Sequence, residues 1–311
     1  MKSRFLFVVL GYDCSKVAKD CDTKNKGYFC LTTACVLRKI VLVVYFCWVD
    51  LDMSMFLKRA AIGAMALMLS STTFAVGNER IDSFSDAKKK LENQVYTEAV
   101  NRVTIYCAAK YDLRKNVTRP KGFKLPLNRD GEPIHEKRAK RIEWEHIVPA
   151  ENFGRAFIEW REGHPLCVEK GKSFKGRKCA EKVNRTFQYM QADMYNLYPA
   201  IGAVNALRSN YNFQLLDADT PSTFGSCEMK IVDKKVEPPV RARGVIARTY
   251  KYMDGAYPAY KMSRAQKQLM DTWDAQHPVD QWECTRAKRI EKIQGNENPI
   301  VKAQCQKAGL W

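Results

Sequence analysis

Negative charge is scarce in this sequence of 311 residues. Asp and Glu number 34 against 52 Lys and Arg, which leaves a formal net charge of +18 at pH 7. Because an excess of one sign attracts the opposite sign, this composition indicates a polyanionic partner, either a nucleic acid or an anionic surface. Disorder of the whole chain is excluded, since hydrophobic residues make up 46% of it and can form a packed core.

Long hydrophobic runs are also absent. The two longest apolar stretches, residues 40–49 and 60–69, have ten residues each, about half of the ~20 that a membrane-spanning helix needs. The second stretch follows Lys58-Arg59 and precedes the small residues that end at Ala75. A basic start, a short apolar middle and a small-residue end are typical of a secretory signal peptide.

We therefore predict a signal peptide over residues 53–75, beginning at Met53 or Met55, with an ordinary buried helix as the alternative. Residues 1–52 are interpreted as an over-extended start of the gene, with a membrane anchor at residues 40–49 as the competing explanation. The mature protein is then a single domain over residues 76–311, which is exported and keeps no stable membrane association.

The cysteines divide unevenly around residue 75. Five precede it and six follow it; the six are Cys107, Cys167, Cys179, Cys227, Cys284 and Cys305. In an oxidising compartment an even number of cysteines predicts disulfides, here three. The spacing leaves their pairing open.

The mature chain has no internal repeat and no low-complexity tract. Its mixture of strand and helix patterns predicts one α+β domain. Residues 141–148 alternate like a strand that Pro149 ends, and residues 211–232 and 243–250 predict further short strands. One helix is predicted from Pro199 to Leu207, since proline favours the first helical position. Two more are predicted at residues 264–276 and 278–294, the last ending before Gly295.

The densest group of reactive residues is the strand sequence around Glu145 and His146. A carboxylate suits a metal ion, and histidine suits a general base because its ordinary pKa lies near 6.5. Neighbouring strand residues point to opposite faces, so we expect Glu145 to hold a cation while His146 activates water. The alternative is a half-buried strand with an incidental histidine.

Zinc is poorly supported by the rest of the sequence. The H-E-x-x-H signature would need a histidine where Ala139 stands, and H-x-x-E-H would need one where Ile142 stands. One carboxylate with amide and water ligands suits Mg²⁺ instead, with other divalent cations as alternatives.

With these motifs the sequence resembles the bacterial endonuclease I family of periplasmic or secreted nonspecific nucleases. The blocks that carry the resemblance follow in order from about residue 82: Trp144–Ala150 with Phe153-Gly154, Gly176–Cys179, Asp193–Leu197, Pro199–Gly202, Val204-Asn205, Arg208–Asn210, Val236–Pro239, Trp282–Cys284, Ile293–Asn296 and Asn298-Pro299. No single block is specific, whereas their ordered combination is.

The resemblance implies a ββα-metal core and a set of site residues. Glu145 and Asn196 would bind Mg²⁺, His146 would be the general base, and Arg177 would contact the scissile phosphate. From the residues alone, Asn196 could simply cap a helix, and Arg177 could be one more solvated cation in a lysine-rich loop. Metal, base and fixed cation together are what phosphodiester hydrolysis requires.

Further cations are candidates for contacts with the nucleic-acid backbone, with a solvated face as the alternative: Arg241, Arg243, Arg248, Arg286, Lys288 and Arg289. Three departures from the family pattern stand out. Tyr195 replaces a common histidine, Ala203 replaces a common glutamate, and a second cysteine after Cys107 is missing.

The sequence thus predicts an exported, periplasmic or secreted, Mg²⁺-dependent and sequence-nonspecific endonuclease. We expect a monomer that hydrolyses DNA and RNA, leaves 5′-phosphate ends and needs no small-molecule cofactor. The preference between DNA and RNA stays open. The alternative is a secreted nucleic-acid-binding protein that has lost catalysis.

Overall fold

A computed structural model of the protein describes residues 76–311 and, nearer the N-terminus, the backbone of three strands. These are β1 (Cys14–Val17), β2 (Leu31–Leu37) and β3 (Ile40–Phe46), which form an antiparallel sheet in that order. They belong to one compact unit, Met1–Thr72, and the rest of the chain forms a second, Thr73–Trp311. The predicted signal peptide lies outside the described residues, which contain no helix long and apolar enough to cross a membrane.

The second unit combines short strand pairs with helices, as an α+β domain does. Its strands are β4 (Lys110–Tyr111), β5 (Val117–Thr118), β6 (Ile142–His146), β7 (Val168–Glu169), β8 (Lys172–Ser173), β9 (Leu197–Ile201), β10 (Lys230–Val232) and β11 (Lys235–Glu237). Its helices are α1 (Phe84–Lys90), α2 (Glu136–Ala139), α3 (Ala150–Gly154), α4 (Ile158–Arg161), α5 (Arg177–Val183), α6 (Arg185–Gln191), α7 (Gly202–Arg208), α8 (Val240–Ala256), α9 (Arg264–Gln276), α10 (Gln281–Gln294) and α11 (Pro299–Lys307). A π-helical turn, Leu91–Val95, and two 3₁₀ turns, Ala99–Asn101 and Met194–Asn196, complete the set.

The central pair of strands is β6 with β9, which run antiparallel over their full length. The register places Glu145 opposite Tyr198 and His146 opposite Leu197. Helix α7 begins directly after β9 at Gly202 and packs beside both strands. Because side chains alternate along a strand, β6 sends Glu143 and Glu145 to one face and His146 to the other.

The helix predicted from Pro199 to Leu207 is therefore wrong in its first three residues. Pro199 lies within β9 opposite Trp144, and its carbonyl accepts a hydrogen bond of 2.8 Å from the Ile105 amide. All five residues of β9 are buried, so the strand is a continuous apolar run, a pattern that does not distinguish a strand from a helix. The helix begins three residues later.

The strand predicted at residues 243–250 is also wrong, because this segment lies inside the long helix α8. Its buried residues include Ala242, Ile246, Tyr250 and Met253, which recur with the spacing of one helix face. The helix at residues 264–276 is confirmed by α9, and α10 ends before Gly295 as predicted.

The six cysteines of the second unit form three disulfides, as their even number predicted. The pairs are Cys107–Cys227, Cys167–Cys179 and Cys284–Cys305. The first joins segments 120 residues apart in the chain. The second closes a short loop that carries the β7–β8 hairpin and the start of α5, where Arg177 lies.

Candidate active site

A groove of about 770 Å³ lies beside β6. Its lining includes Glu145 and His146 from β6 and Arg177 from the first position of α5. Three of the four predicted catalytic and metal-binding residues therefore share one groove, although they come from two different elements. Further walls are contributed by α1, by the start of α3, by the residues from Asn205 to Asn210 around the end of α7, and by Lys115, Arg138, Arg141 and Trp160.

The imidazole of His146 is held in a defined orientation. Its Nε2 lies 2.9 Å from the backbone carbonyl of Gln191. A carbonyl can only accept, so Nε2 must carry the proton, and Nδ1 retains its lone pair. Burial and then the charge of Arg177 lower the pKa of His146 to about 3. The ring is therefore neutral at physiological pH, and its Nδ1 carries no proton.

The carboxylate of Glu145 is almost completely buried and is paired. Its Oε1 accepts hydrogen bonds from Tyr106 Oη at 2.9 Å and from Arg208 Nη1 at 2.8 Å. Burial raises the pKa of the Glu145 carboxyl, while the Arg208 charge and the Tyr106 hydrogen bond act in the opposite direction. Among residues 76–311, Oε2 has no hydrogen-bond partner and is thus free to bind a ligand in the groove.

The Arg177 side chain is fixed from two sides. Its Nε donates to Gln191 Oε1 at 3.3 Å, and its guanidinium lies 5.1 Å from the centre of the Phe84 ring. The Phe84 ring also packs against His146 at 4.9 Å. Gly176 precedes the arginine with φ of +80°, a conformation that favours glycine and that turns the chain into α5.

Asn196 is not part of the groove. Its side chain is fully buried and makes two hydrogen bonds to one residue, accepting from Val148 N at 2.8 Å and donating to Val148 O at 3.0 Å. The amide thus connects the end of β6 to the turn before β9. The expectation of a metal-binding Asn196 is corrected here, because its oxygen already pairs with a backbone N–H inside the protein.

Asn205, which the sequence analysis did not assign to the site, does line the groove. It lies in α7, and its Nδ2 donates to Glu143 Oε2 at 2.9 Å. Its Oδ1 has no partner among the described residues. The block Val204-Asn205 contains this residue, but nothing in the sequence shows that it faces β6.

Two of the proposed nucleic-acid contacts are inside the protein. Arg248 is 1% exposed and pairs with Glu283 and Asp274. Arg286 is 2% exposed, and it donates to the hydroxyls of Tyr96 and Tyr198 and to two backbone carbonyls. The prediction that these two arginines contact nucleic acid is wrong, because their guanidinium groups satisfy buried acceptors.

The other four candidates do not line the groove either. Arg241 donates to the Ile105 carbonyl at 2.5 Å, Arg243 to Glu237 at 2.6 Å, and Arg289 to both oxygens of Glu98. Lys288 is exposed, with its ammonium 5.4 Å from the Trp311 ring. The cations that do line the groove, besides Arg177, are Lys88, Lys89, Lys115, Arg138 and Arg141.

Some of these groove cations are already neutralised. Lys115 pairs with Glu92 at 3.0 Å, and Arg138 makes a bidentate pair with Glu143. Lys88 lies over the Phe84 ring, and Lys89 is only within 4.0 Å of Asp86. Among the described residues, the Arg141 side chain donates only to the Arg114 carbonyl. Besides Arg177, the less compensated groove cations are thus Lys88, Lys89 and Arg141.

Comparison with known proteins identifies the family of this chain. The Endonuclease I family profile matches residues 83–305. The chain belongs to the endonuclease I family. It is accordingly a hydrolytic endonuclease, and its family consists of metal-dependent nucleases.

Several curated proteins are similar to this endonuclease. An extracellular deoxyribonuclease of Aeromonas hydrophila is 40% identical over 228 residues, which cover 72% of this chain and 91% of the relative. A periplasmic deoxyribonuclease of the same organism is 43% identical over 172 residues, covering 54% and 66%. Endonuclease-1 of Buchnera aphidicola subsp. Acyrthosiphon pisum is 40% identical over 188 residues, covering 60% and 66%.

Two of the three departures from the family pattern, Tyr195 and Ala203, leave this endonuclease well packed. Tyr195 is 1% exposed, donates to the Asn296 carbonyl at 3.0 Å and packs edge-on against Tyr252. Ala203 is fully buried in α7. Neither residue lines the groove.

The donor set fits a hard divalent cation. The described residues contain no group of three or more His, Cys, Asp or Glu side chains that could hold a metal ion. A metal bound in this part of the chain would therefore have few protein ligands of these types. Glu145 Oε2 and Asn205 Oδ1 are both oxygen donors on the groove and lack other partners in residues 76–311. Two protein oxygens supplemented by water suit Mg²⁺, which keeps several waters when bound.

Proposed function

We propose that this protein is an exported, Mg²⁺-dependent, sequence-nonspecific endonuclease that hydrolyses DNA and also RNA. The observation that carries the proposal is one basic groove that contains a neutral histidine, a carboxylate with a free oxygen and a fixed arginine. The similar proteins named deoxyribonucleases support DNA as the substrate. We further propose that it acts as a monomer, needs no small-molecule cofactor and leaves 5′-phosphate and 3′-hydroxyl ends.

His146 is the general base in this proposal. The Nε2–H group donates a hydrogen bond to the Gln191 carbonyl. Nδ1 is therefore the atom that takes a proton from the attacking water. Arg177 supplies a fixed positive charge beside it, where the negative charge on the phosphate increases in the transition state. The proposed roles follow from the tautomer and from the shared Phe84 contact, which keeps both groups together.

We assign the metal ligands to Glu145 and Asn205, in preference to the Asn196 of the sequence prediction. When bound, Mg²⁺ would act as a Lewis acid on the phosphate and the leaving oxygen. Glu145 and Asn205 lie on β6 and α7, which with β9 give the strand, strand and helix of a ββα-metal core. That core is the finer fold assignment we propose for the central part of the domain.

Export is proposed on two grounds. Relatives are named extracellular and periplasmic deoxyribonucleases, and three disulfides suit an oxidising compartment. We retain residues 53–75 as the signal peptide, residues 1–52 as an over-extended start and residues 76–311 as the mature nuclease. The mature protein would be periplasmic or secreted, without stable membrane association.

The decisive experiment incubates the oxidised protein with plasmid DNA in Mg²⁺, in EDTA, and after the substitution His146→Ala. We expect nicking and linearisation in Mg²⁺ only, and an activity loss of several hundred-fold or more in the variant, on the order of general-base loss. A plasmid that stays intact but is retarded on a gel supports the rival hypothesis of an inactive binding protein. Equal cleavage by His146→Ala would contradict the assigned base.

The finer parts of the proposal are tested by separate measurements. End-labelling of the products tests for 5′-phosphates, and ribosomal RNA in place of plasmid tests RNA hydrolysis. Light scattering during elution from a sizing column tests the monomer. Mass spectrometry of the exported protein gives its first residue, which we expect near Val76.

A further inference from the structure

Arg208 at the end of α7 is fully buried and reaches three groups at the end of β6. Its Nη1 donates to Glu145 Oε1 at 2.8 Å and to the His146 carbonyl at 2.7 Å, and its Nη2 donates to the Ile147 carbonyl at 2.5 Å. Tyr106 Oη donates to the same Glu145 oxygen at 2.9 Å. We propose that Arg208 and Tyr106 form a positioning clamp, which sets Glu145 for metal binding and fixes the backbone of His146.

The clamp rests on the proposed function, in which Glu145 binds the metal. A carboxylate buried to 3% exposure is costly to keep ionised unless an opposite charge and hydrogen bonds compensate it. Arg208 supplies that charge and is itself fully buried, so no solvent screens the pair.

The geometry of the clamp also decides which oxygen is available. Both hydrogen bonds go to Oε1, so the carboxylate cannot rotate without breaking two contacts inside the protein. Oε2 is therefore the oxygen left for the groove. Groups that fix a metal-binding side chain in this way typically change metal affinity or activity by 10–100-fold when they are removed.

Arg208 links this carboxylate to the general base. Strand β6 ends at His146, so beyond this point the backbone carbonyls leave the ladder with β9 and need other donors. Arg208 provides them for His146 and Ile147. One guanidinium thus holds both the side chain of the proposed ligand and the main chain that carries the base.

The test measures Mn²⁺ binding to the full oxidised protein by electron paramagnetic resonance, with no DNA present. Tyr106→Phe removes one hydroxyl and keeps the ring, and we expect roughly 10-fold weaker Mn²⁺ binding; Arg208→Lys should weaken it by a factor nearer 100. Kinetics should agree: both variants need more Mg²⁺ for half-maximal cleavage, and added Mg²⁺ restores part of the rate.

Two matched controls separate positioning from loss of a buried contact. Tyr252 is as buried as Tyr106 and donates to Asp193 at 2.7 Å, and Arg248 is a buried arginine paired with Glu283. Neither lines the groove. Tyr252→Phe and Arg248→Lys should lower thermal stability but leave Mn²⁺ affinity unchanged within a factor of two.

Glu145→Gln distinguishes failure of the clamp from failure of the proposed function. If Glu145→Gln binds Mn²⁺ like the parent protein, the ligand assignment falls and the clamp falls with it. If Glu145→Gln loses binding while Tyr106→Phe behaves like Tyr252→Phe, only the clamp is overturned. In the Glu145→Gln background, Tyr106→Phe should cause no further loss, since the two residues act through one interaction. Should Arg208→Lys fail to fold, Tyr106→Phe decides alone.

Discussion

Asn196 and Asn205 lie in one stretch of chain, yet their side chains make different contacts. Asn196→Ala would leave the Val148 N–H and carbonyl unpaired in the interior, and we expect a stability loss of about 1–3 kcal/mol with the Mg²⁺ requirement unchanged. Asn205→Ala should keep the stability and lower kcat/KM by roughly 100-fold. Urea unfolding and plasmid cleavage at several Mg²⁺ concentrations measure both. The reverse pattern would return the ligand role to Asn196.

The buried imidazole of His146 predicts a pH dependence of stability in metal-free solution. Its pKa is about 3 in the folded protein and near 6.5 in the unfolded chain, so between these values the unfolded chain binds the extra proton. The unfolding free energy contributed by His146 is therefore complete above pH 6.5 and is lost as the pH falls toward 3, at about 1.4 kcal/mol per pH unit.

Urea unfolding in EDTA at pH 7 and pH 4.5 tests this for the parent protein and His146→Asn. We expect the parent to lose stability more steeply on acidification, so that the gap between the two narrows by a few kcal/mol. His135→Asn, at an exposed position, is the control and should follow the parent at both pH values. Parallel curves for parent and His146→Asn would show that the folded imidazole titrates normally.

A reactive residue could be predicted from the sequence where the combination of neighbouring residue types is uncommon. Glu145 and His146 were noticed as a carboxylate beside a histidine in a strand, whereas Arg177 was assigned only through the family resemblance. Asparagine gives no such signal, because the same amide caps helices, closes turns and binds metals. Asn196 and Asn205 differ only in what lies next to them in space, so a structure was needed to separate them.

At the scale of elements, the junction between β9 and α7 depends on Gly202. A Cβ at this position would lie 2.6 Å from the Arg138 carbonyl and 2.8 Å from Glu143 Oε1. Gly202→Ala should therefore push α7 away from β6, destabilise the protein by about 1–3 kcal/mol and reduce cleavage, because Asn205 and Arg208 move with the helix.

Gly255 offers a matched control within α8. A Cβ there meets nothing within 4 Å, so Gly255→Ala should stabilise the protein by up to about 1 kcal/mol through helix propensity alone and leave cleavage unchanged. Thermal unfolding and the plasmid assay measure both variants. Equal behaviour of the two alanines would mean that the junction can adjust.

Secondary structure was predictable where a boundary has local chemistry. Helix α10 ends before Gly295, as that glycine predicted. Its first residue is Gln281, after the cap Asp280, and not residue 278 as predicted. Pro199 led to a wrong helix start, because the local sequence around a proline does not distinguish a first helical position from a position in a short buried strand. Residues 243–250 were predicted as a strand but lie in α8, where Arg248 is neutralised by acids that come from other elements of the chain.

At the scale of the whole molecule, the position of the cations should affect DNA binding more than the total charge does. Lys88→Gln with Lys89→Gln removes two cations from the groove, and Lys261→Gln with Lys307→Gln removes two exposed cations elsewhere. Both pairs lower the net charge equally. If each groove lysine contacts one phosphate, the slope of log K against log salt should fall by about 1.8 for the first pair, and change little for the second.

Binding of a catalytically inactive His146→Ala protein to short duplex DNA across a salt series measures these slopes. Identical slopes for the two double variants would mean that the groove lysines make no phosphate contacts. The net charge predicted the type of partner but not its place, because several of the arginines singled out along the chain bind carboxylates and carbonyls within the fold.

The hydrogen bond from Asn205 to Glu143 explains why an amide, and not an acid, stands in α7 beside β6. An aspartate there would bring a stronger cation ligand but would set two carboxylates against each other at the present 2.9 Å contact, which disfavours ionisation of both. Asparagine avoids this conflict because it donates toward Glu143 with one end and presents an acceptor with the other. The contact therefore also settles which end of the amide faces the groove, an orientation that electron density alone rarely distinguishes.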